Sequence, residues 1–388
     1  MRRRPERRAS LLAGHLRAVG RVAIRRRLAV PLAFAAVALL AVPGLTRITV
    51  NDNPVNWFKP GSSVRQSTEA LNERPPGTFN ANLVLTADEP GRLLEPETLA
   101  AVRGVQQRWD ALAEVGSSAS YADVVGTSAS PGAALAAAFD QQPGLVSSLV
   151  TDDGDAANLR MLLRDGDNQA MCRVVDATEA QLAAEPLPDG VTAEWAGETY
   201  LNLVWQDTMV SGILGAFAST LVVVLLLMVA LFRSLRWALL SVLPVLWTML
   251  VVYGVIGLVG KDYDMPIAVL STLVLGIGVE FAIHFVQRYR ELCNELGHPG
   301  WALRAFFEEP ARAITRNALV IAVGFTPLFL ADLVPYLVVG AFLSAIIVLS
   351  WLATVLLLPS IVSWSRPVEP APEDVPPATE RVPADVMA

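Results

Sequence analysis

The chain has 388 residues, of which 53% are hydrophobic and only 17% are charged, and its formal net charge is −7. This composition is too apolar for a set of soluble domains. It excludes a water-soluble enzyme, a nucleic-acid-binding domain, a fibrous protein and a disulfide-rich mini-protein. We therefore predict a polytopic α-helical membrane protein.

Six apolar runs that contain no charged residue predict the membrane spans. Four runs reach the length of about 18 residues that a spanning helix needs, and the other two reach it when flanking residues are included. The runs are Leu28–Thr46, Thr208–Phe232, Trp237–Gly260, Met265–Val279, Asn317–Ala331 and Leu333–Ser365. The predicted helices cover 28–46 and about 208–232, 237–260, 265–287, 315–331 and 333–363.

The distribution of basic residues predicts how these helices are oriented. Residues 1–27 contain ten arginines and one acidic residue, so we expect a basic N-terminal tail in the cytoplasm. Lys261 is the only basic residue in a short outside loop. Both termini are then cytoplasmic, in the inner membrane, and 47–207 is extracytoplasmic. A cleaved signal peptide is the alternative reading of the first run, but its length favours an uncleaved anchor.

The long insert between the first two spans has the composition of a water-exposed domain. It carries 9 basic and 23 acidic residues between Asp52 and Asp207. Its pattern predicts an α/β domain in which two β-α-β-like pieces form a small sheet covered by helices. The expected strands are 79–85, 158–163 and 191–195, the expected helices are 96–115, 131–139 and 168–184, and 116–131 is read as a connection.

Two further segments lie on the predicted cytoplasmic side. Residues 300–314 alternate apolar and charged groups at helical spacing, which predicts an amphipathic connecting helix between the fourth and fifth spans. Residues 366–388 are rich in proline and charge and lack apolar periodicity, so we expect them to be disordered.

Glu280 is the only acidic residue within the predicted spans. A carboxylate in the hydrocarbon region is costly, and such groups commonly mark ion or proton pathways. His284 follows four residues later on the same helical face, where it could relay protons. Thr326 in the fifth span, with Ser344 as a further candidate, could complete a proton relay. Each of these side chains could instead make only structural hydrogen bonds.

Gly276 and Gly278 precede Glu280 and predict close packing of another helix. They do not form a nucleotide-binding turn, because no strand precedes them and no third glycine follows at the required spacing. The sequence also shows no Walker-type loop, no metal-ligand cluster and no Ser/His/Asp constellation. We expect no cofactor, no metal and no enzymatic activity.

Motifs spread over loops and spans resemble the resistance-nodulation-division (RND) superfamily and, within it, the MMPL-type exporters. The resemblance extends from about Arg21 to Ser365 and is closest to the C-terminal one of the two six-span repeats in a full-length transporter. It implies one span, a porter domain and five further spans. The motifs are Asp52–Pro60, Trp195–Gly197, Val204–Asp207, Gly260–Pro266, Gly276–Glu291 and Glu308–Asn317.

The resemblance implies a half-size transporter that exports a lipid or another hydrophobic substrate, driven by the proton-motive force. Glu280 matches the family's acidic residue in the fourth span, which couples export to proton entry. The family motif usually has Asp there, and Phe281 stands where many relatives have Tyr, so coupling in this chain could be weaker.

The resemblance also bears on partners and on alternative functions. Because two repeats share an interface in the family, we expect a homodimer or a separately encoded second RND half, and we expect no nucleic-acid partner. Two other functions stay open. One is a non-transporting membrane subunit similar to the sterol-sensing (SSD-like) bundles, and the other is a SecDF-like accessory translocation factor.

Overall fold

The computed structural model describes residues 11–73, 77–151 and 153–365. The chain divides into two compact units. The membrane unit comprises Met1–Thr49, Gly212–Ala331 and Pro335–Ala388, and the porter-like unit comprises Val50–Ser211 and Asp332–Val334. The first ten residues of the predicted basic tail and the predicted disordered tail, 366–388, lie outside the described residues.

A four-stranded sheet forms the centre of the porter-like unit. Its strands are β1 (Phe79–Ala87), β2 (Val115–Ala119), β3 (Ala156–Leu163) and β4 (Val191–Ala196), in the order β2-β3-β1-β4. Every neighbouring pair is antiparallel, and β1 pairs with β3 from Phe79↔Leu163 to Thr86↔Ala156. This is the split β-α-β arrangement, in which each β-α-β piece brackets a strand of the other.

Alternating side chains give the sheet one buried face. Leu83 and Leu85 on β1 and Leu159 and Met161 on β3 are at most 2% exposed, as the two-residue period of a strand requires. The helices cover this face, and Trp109 is fully buried there. The helices of the unit are α3 (Ser63–Asn72), α4 (Pro96–Asp110), α5 (Tyr121–Val125), α6 (Pro131–Gln141), α7 (Pro143–Val146) and α8 (Asn168–Ala184).

The predicted connection 116–131 is in fact partly ordered secondary structure. Val115–Ala119 forms strand β2 at the sheet edge, with a register shift between Val115 and Ser117. Helix α5 follows, and Ser120 begins it with a capping box that includes Asp123. Ser117 and Ser118 therefore lie in the edge strand, and Ser120 caps a helix, so this half of the segment is not a flexible link.

Long apolar helices make up the membrane unit. They are α2 (Ala29–Leu45), α9 (Glu198–Phe232, whose first residues belong to the porter-like unit), α10 (Leu235–Leu258), α11 (Met265–Leu296), α13 (Pro310–Gly324) and α14 (Val334–Ser365). Two shorter helices, α1 (Leu11–Arg25) and α12 (Pro299–Phe306), accompany them.

Four helices in the described residues are long and apolar enough to cross a membrane, and the number rises to six if each of two bent pairs forms one span. The protein is thus a multi-pass helical membrane protein. The two bent pairs are Gly14–Arg25 with Ala29–Leu45, bent by 90°, and Met265–Ser271 with Leu273–Leu296, bent by 41°.

The predicted connecting helix 300–314 is divided in the structure. Helix α12 ends at Phe306, and α13 begins at Pro310 and continues as an apolar helix to Gly324. Proline has no N–H to donate and fits the first turn of a helix, so it favours a new helix start at this point. As a result, α13 begins five residues earlier than the predicted fifth span.

Glycines bring α2 and α10 into close contact. A Cβ atom added at Gly44 or Gly257 would collide with the backbone of the opposite helix, and one added at Gly254 would collide with Ala41. Such close backbone approach is typical of membrane helix pairs, where small residues form the interface. The sequence analysis did not predict this contact.

The link between α9 and α10 contains only Arg233 and Ser234. Arg233 has a φ of 50°, which is the left-handed region that non-glycine residues rarely adopt. Arg290 on α11 donates a hydrogen bond of 3.0 Å to the Phe232 carbonyl at the end of α9.

Candidate functional site

Glu280 lies on α11 next to one residue of α13. Asn317 Nδ2 donates a hydrogen bond of 3.0 Å to Glu280 Oε1. His284 is one turn further along α11, and its Nε2 lies 3.8 Å from the same oxygen. Residues four apart stack on one face of a helix. The structure therefore brings Glu280 and His284 together and adds Asn317 to them.

The face of α11 that carries Glu280 points away from the helical core. The side chains of Glu280 and His284 are 42% and 55% exposed, whereas Phe281 and Phe285 are fully buried. One turn before Glu280, Gly276 has open space where a Cβ would stand. The described residues thus leave a strip of α11 uncovered, which we call the open strip: Gly276, Glu280 and His284.

Gly278 faces the opposite direction and packs closely within the bundle. A Cβ at Gly278 would lie 2.5 Å from Cγ2 of Val245 on α10. Ser350 Oγ on α14 donates a hydrogen bond of 2.6 Å to the Gly278 carbonyl. Gly276, for which we also predicted a packing role, makes no such approach to any described residue of this chain.

Thr326 and Ser344 make hydrogen bonds to backbone carbonyls near the end of α13. Thr326 Oγ1 donates a hydrogen bond of 2.8 Å to the Val323 carbonyl, and Ser344 Oγ donates one of 3.0 Å to the Ala322 carbonyl. In the contacts that the structure shows, Thr326 bonds to its own backbone and not to Glu280, the carboxylate that it was predicted to serve.

Asn317 is the residue of this site that sequence reasoning missed. It is the first residue of its apolar run, directly after Arg316, and the sequence analysis gave it no role. Because α13 begins at Pro310, Asn317 lies in the middle of the helix and not at its end. A polar amide placed inside a spanning helix is the signal that could have identified it.

A cavity of about 600 Å³ adjoins both partners of Glu280. Asn317 and His284 line it at one side, and three arginines supply most of its charge. Arg288 pairs with Glu291 at 2.8 Å, and Arg312 Nε donates 2.5 Å to the Glu308 carbonyl. The lining residues are His284, Arg288, Glu309, Pro310, Arg312, Ala313, Ile314, Arg316 and Asn317. The cavity can hold water within reach of the two groups that contact the carboxylate.

Comparison with known proteins matches residues 75–373, more than half of the chain, to the model of the MMPL family. The chain belongs to the MMPL family. The matched range contains the sheet of the porter-like unit, helices α9 to α14 and the whole Glu280 site.

Two relatives of this MMPL-family chain have curated descriptions. A candidate membrane protein of Methanocaldococcus jannaschii is 27% identical over 170 residues, which are 43% of each chain. The probable transport protein MmpL8 of Mycobacterium bovis is 25% identical over 197 residues, which are 50% of this chain and 18% of that protein. The chain therefore spans less than half the length of the curated relatives that it matches.

The described residues contain no group of three or more His, Cys, Asp or Glu side chains that could hold a metal ion. Within this part of the chain, the carboxylate of Glu280 is accompanied only by an amide and an imidazole in the contacts that the structure shows. The carboxyl group and the imidazole are the titratable members of this set, and the amide can donate or accept a hydrogen bond beside them.

Proposed function

We propose that the chain is an RND/MMPL-type transporter in which Glu280 couples proton entry to the export of a lipid or another hydrophobic substrate. The observation that carries the proposal is the hydrogen bond from Asn317 to Glu280, with His284 beside it and an adjoining cavity. The membership in the MMPL family and the transport assignment of the mycobacterial relative support transport as the activity.

The chemistry of Asn317 suits a carboxyl group that changes its protonation state. The amide N–H₂ donates to Glu280 Oε1, which suits the ionised carboxylate because that form only accepts. When Glu280 is protonated, the same side chain can rotate and accept the new O–H through its carbonyl oxygen. A lysine or arginine in this place would instead hold Glu280 in its charged form. A neutral amide therefore permits both states of the carboxyl group.

Proton movement through this site can supply enough free energy to shift a helix. One elementary charge that crosses 100 mV provides about 2.3 kcal/mol. Neutralising Glu280 would remove its charge from α11 and weaken its charge-assisted contact with α13. We propose that this change shifts the packing of α11 against α13 and so drives the transport cycle.

Proton flux into proteoliposomes tests the role of Glu280. Under an imposed pH gradient, we expect the wild-type protein to carry a proton flux that Glu280→Gln reduces to the level of empty liposomes. Glu280→Asp, which restores the acid usual in the family, should retain flux. Glu295→Gln is the matched control, since Glu295 lies on the same helix with 58% of its side chain exposed.

Equal flux in wild type and Glu280→Gln would reject Glu280 as the coupling residue. If the cellular phenotype also persists in Glu280→Gln, the non-transporting membrane subunit becomes the better interpretation. Crosslinks from the porter-like unit to unfolded secreted chains would favour the accessory translocation factor instead.

The porter-like unit contains a cavity of about 550 Å³ where we propose that hydrophobic cargo binds. Phe79, Leu201 and Trp205 give it apolar walls, and Asn202 and Glu198 add polar groups. Photo-crosslinking residues placed at position 201 should capture lipid. The control is position 71, where Leu71 is similarly exposed but lies outside this cavity.

We also propose that the porter-like unit faces the outside of an inner membrane and that both termini are cytoplasmic. Cys172 on α8 is exposed, and Cys293 lies near the end of α11. A membrane-impermeant maleimide should label Cys172 in intact spheroplasts and should label Cys293 only after lysis. The opposite pattern would reverse the orientation.

The open strip leads us to propose that a second six-span unit covers α11. Gly276 leaves room for a close helix, and Glu280 and His284 would be shielded from lipid by it. Gly276→Cys in a chain without native cysteines should form a disulfide-linked dimer if a second copy of this chain is the partner. A monomer alone, with activity dependent on another RND chain, would identify a separate half.

A further inference from the structure

Helix α1 is an amphipathic helix at the start of the described chain. Leu16, Gly20 and Ala23 form its buried face, with Leu16 2% and Ala23 0% exposed. A Cβ at Gly20 would lie 2.6 Å from the ring of Phe307, which is 3% exposed between α12 and α13. The helix is therefore seated on the bundle by its apolar side.

The opposite face of α1 carries a row of arginines. Arg17, Arg21 and Arg25 follow one another at intervals of four residues and are all exposed, and Arg26 and Arg27 continue the row into the bend before α2. Side chains four apart lie on one face of a helix. We call these five residues the arginine row.

No ion pair joins the arginine row to an acidic residue within the part of the chain that the structure describes. The sequence has no acidic residue between Arg7 and Asn51. Glu308 and Glu309 follow Phe307, against which Gly20 packs, but they are exposed and form no ion pair with the row. The arginine row is therefore left without a salt-bridge partner among the described residues.

The bend between α1 and α2 allows the arginine row to lie along a membrane surface. The two helices meet at 90°, so a helix α2 that crosses the bilayer leaves α1 parallel to it. Exposed apolar side chains stand next to the arginines, with Val22 46% and Leu28 55% exposed. Arginine heads beside exposed aliphatic groups match the boundary between lipid headgroups and acyl chains.

We propose that the arginine row binds the headgroups of anionic phospholipids in the leaflet on which α1 lies. Positive charge alone would suffice to orient the first span, but orientation does not require a preorganised helix with its charges on one face. A nucleic acid or a soluble acidic protein would meet the same charge, yet neither accounts for the exposed Val22 and Leu28. The proposal does not depend on proton coupling at Glu280.

Titration of the full-length protein in nonionic detergent with phosphatidylglycerol tests the proposal. Hydrogen exchange of α1 peptides and the thermal unfolding midpoint are the readouts. We expect phosphatidylglycerol to slow exchange in α1 and to raise the midpoint, whereas phosphatidylcholine at the same concentration should do neither.

The key variant is the triple substitution Arg17→Gln, Arg21→Gln and Arg25→Gln. Since each basic residue near an anionic surface strengthens binding roughly fivefold, the triple variant should lose about 100-fold in apparent affinity for phosphatidylglycerol. The charge-preserving triple substitution to Lys should bind nearly as well as wild type. Arg108→Gln with Arg164→Gln, two exposed positions in the porter-like unit, should have no effect.

Three results would overturn the proposal. One is a Gln triple variant that binds phosphatidylglycerol as tightly as wild type and the Lys triple variant do. Another is equal protection of α1 by inorganic phosphate, which would indicate a site for free phosphate. A third is arginine-dependent binding of RNA without any response to phosphatidylglycerol. Labelling of Cys172 verifies that each variant keeps the wild-type orientation.

Discussion

The porter-like unit and the membrane unit use their apolar residues in different ways. In the porter-like unit, buried apolar side chains form one cluster on one face of the sheet. Among the described residues of the membrane unit, the buried side chains form three clusters, and only 6% of the most apolar 18-residue stretch of α9 is buried. Hydrophobic character therefore predicts burial only in the unit that folds in water, because lipid is as apolar a solvent as the protein interior.

The largest effect is expected from a substitution that disrupts the core of the porter-like unit. Trp109 is fully buried, and its ring stacks on that of Trp195 with 5.9 Å between the ring centroids. Its Nε1 donates a hydrogen bond of 2.8 Å to Thr178 Oγ1. Trp109→Ala should cost about 3–5 kcal/mol of local stability. Hydrogen exchange of the full-length protein should rise in β1 and β3 and stay unchanged in α10 and α14.

Trp109→Phe is the control for that substitution. It keeps most of the apolar volume and removes the N–H donor, so the expected loss is about 1 kcal/mol. Equal losses for Ala and Phe would contradict the packing account and assign the effect to the hydrogen bond.

The next effect concerns helix packing in the membrane unit. Gly254→Ala would force a Cβ into Ala41 on α2 and should destabilise the bundle by about 1–3 kcal/mol. Gly215→Ala on α9 is the matched control, because its Cβ would enter open space. Thermal unfolding in detergent measures both variants. If Gly215→Ala loses as much stability as Gly254→Ala, the loss comes from the substitution itself and not from the contact with α2.

A smaller effect is expected for a single hydrogen bond between helices. Ser350→Ala removes the bond from α14 to the Gly278 carbonyl, and such bonds contribute about 0.6 kcal/mol on average in membrane proteins. Ser219→Ala is the control, since Ser219 Oγ donates to the Ala216 carbonyl of its own helix. If the two variants have the same unfolding midpoint, Ser350 contributes no stability across the helix interface.

The smallest effect concerns pH in the porter-like unit. The hydrogen bond from Arg173, at 2.6 Å, lowers the pKa of Glu114 below its ordinary value of 4.5. A lowered folded-state pKa contributes stability that is fully present above 4.5 and disappears as the pH falls through the folded-state pKa. Wild type should therefore be more stable than Glu114→Gln at pH 7. This difference in the free energy of unfolding should narrow below about pH 4.5.

Asp165 provides a comparison of opposite sign in the same unit. Burial and the nearby charge of Asp167 raise the pKa of Asp165 above 3.8. Its charged form therefore costs stability at neutral pH, and the cost is relieved as the pH falls through the raised pKa. Asp165→Asn should be more stable than wild type at pH 7, with an advantage that vanishes in acid. The free energy of unfolding should be measured as a function of pH. The same pH dependence in wild type and Asp165→Asn would contradict this assignment.

The regular elements of the porter-like unit could be predicted from the sequence because their side chains alternate. The strands expected at 79–85 and 158–163 appear as Phe79–Ala87 and Ala156–Leu163. Strand β2 could not be predicted, since Gly116 and three nearby serines have low strand preference. It forms through pairing with β3, which is a long-range contact that local sequence does not encode.

The candidate site was only partly accessible to sequence reasoning. Glu280 and His284 share one helix, so their spacing alone places them together. Asn317 reaches Glu280 across 37 residues, and this contact depends on how α13 packs against α11. Thr326 was selected for its hydroxyl group, but a hydroxyl within a helix can satisfy itself on its own backbone, as Thr326 does.

The two-residue link at Arg233 and Ser234 also has a consequence for synthesis. With only two residues between them, α9 cannot be fully inserted in the bilayer while α10 is still far from it. We therefore expect the two helices to enter the bilayer together as a helical hairpin. The left-handed backbone at Arg233 is then the point on which correct hairpin closure depends during insertion.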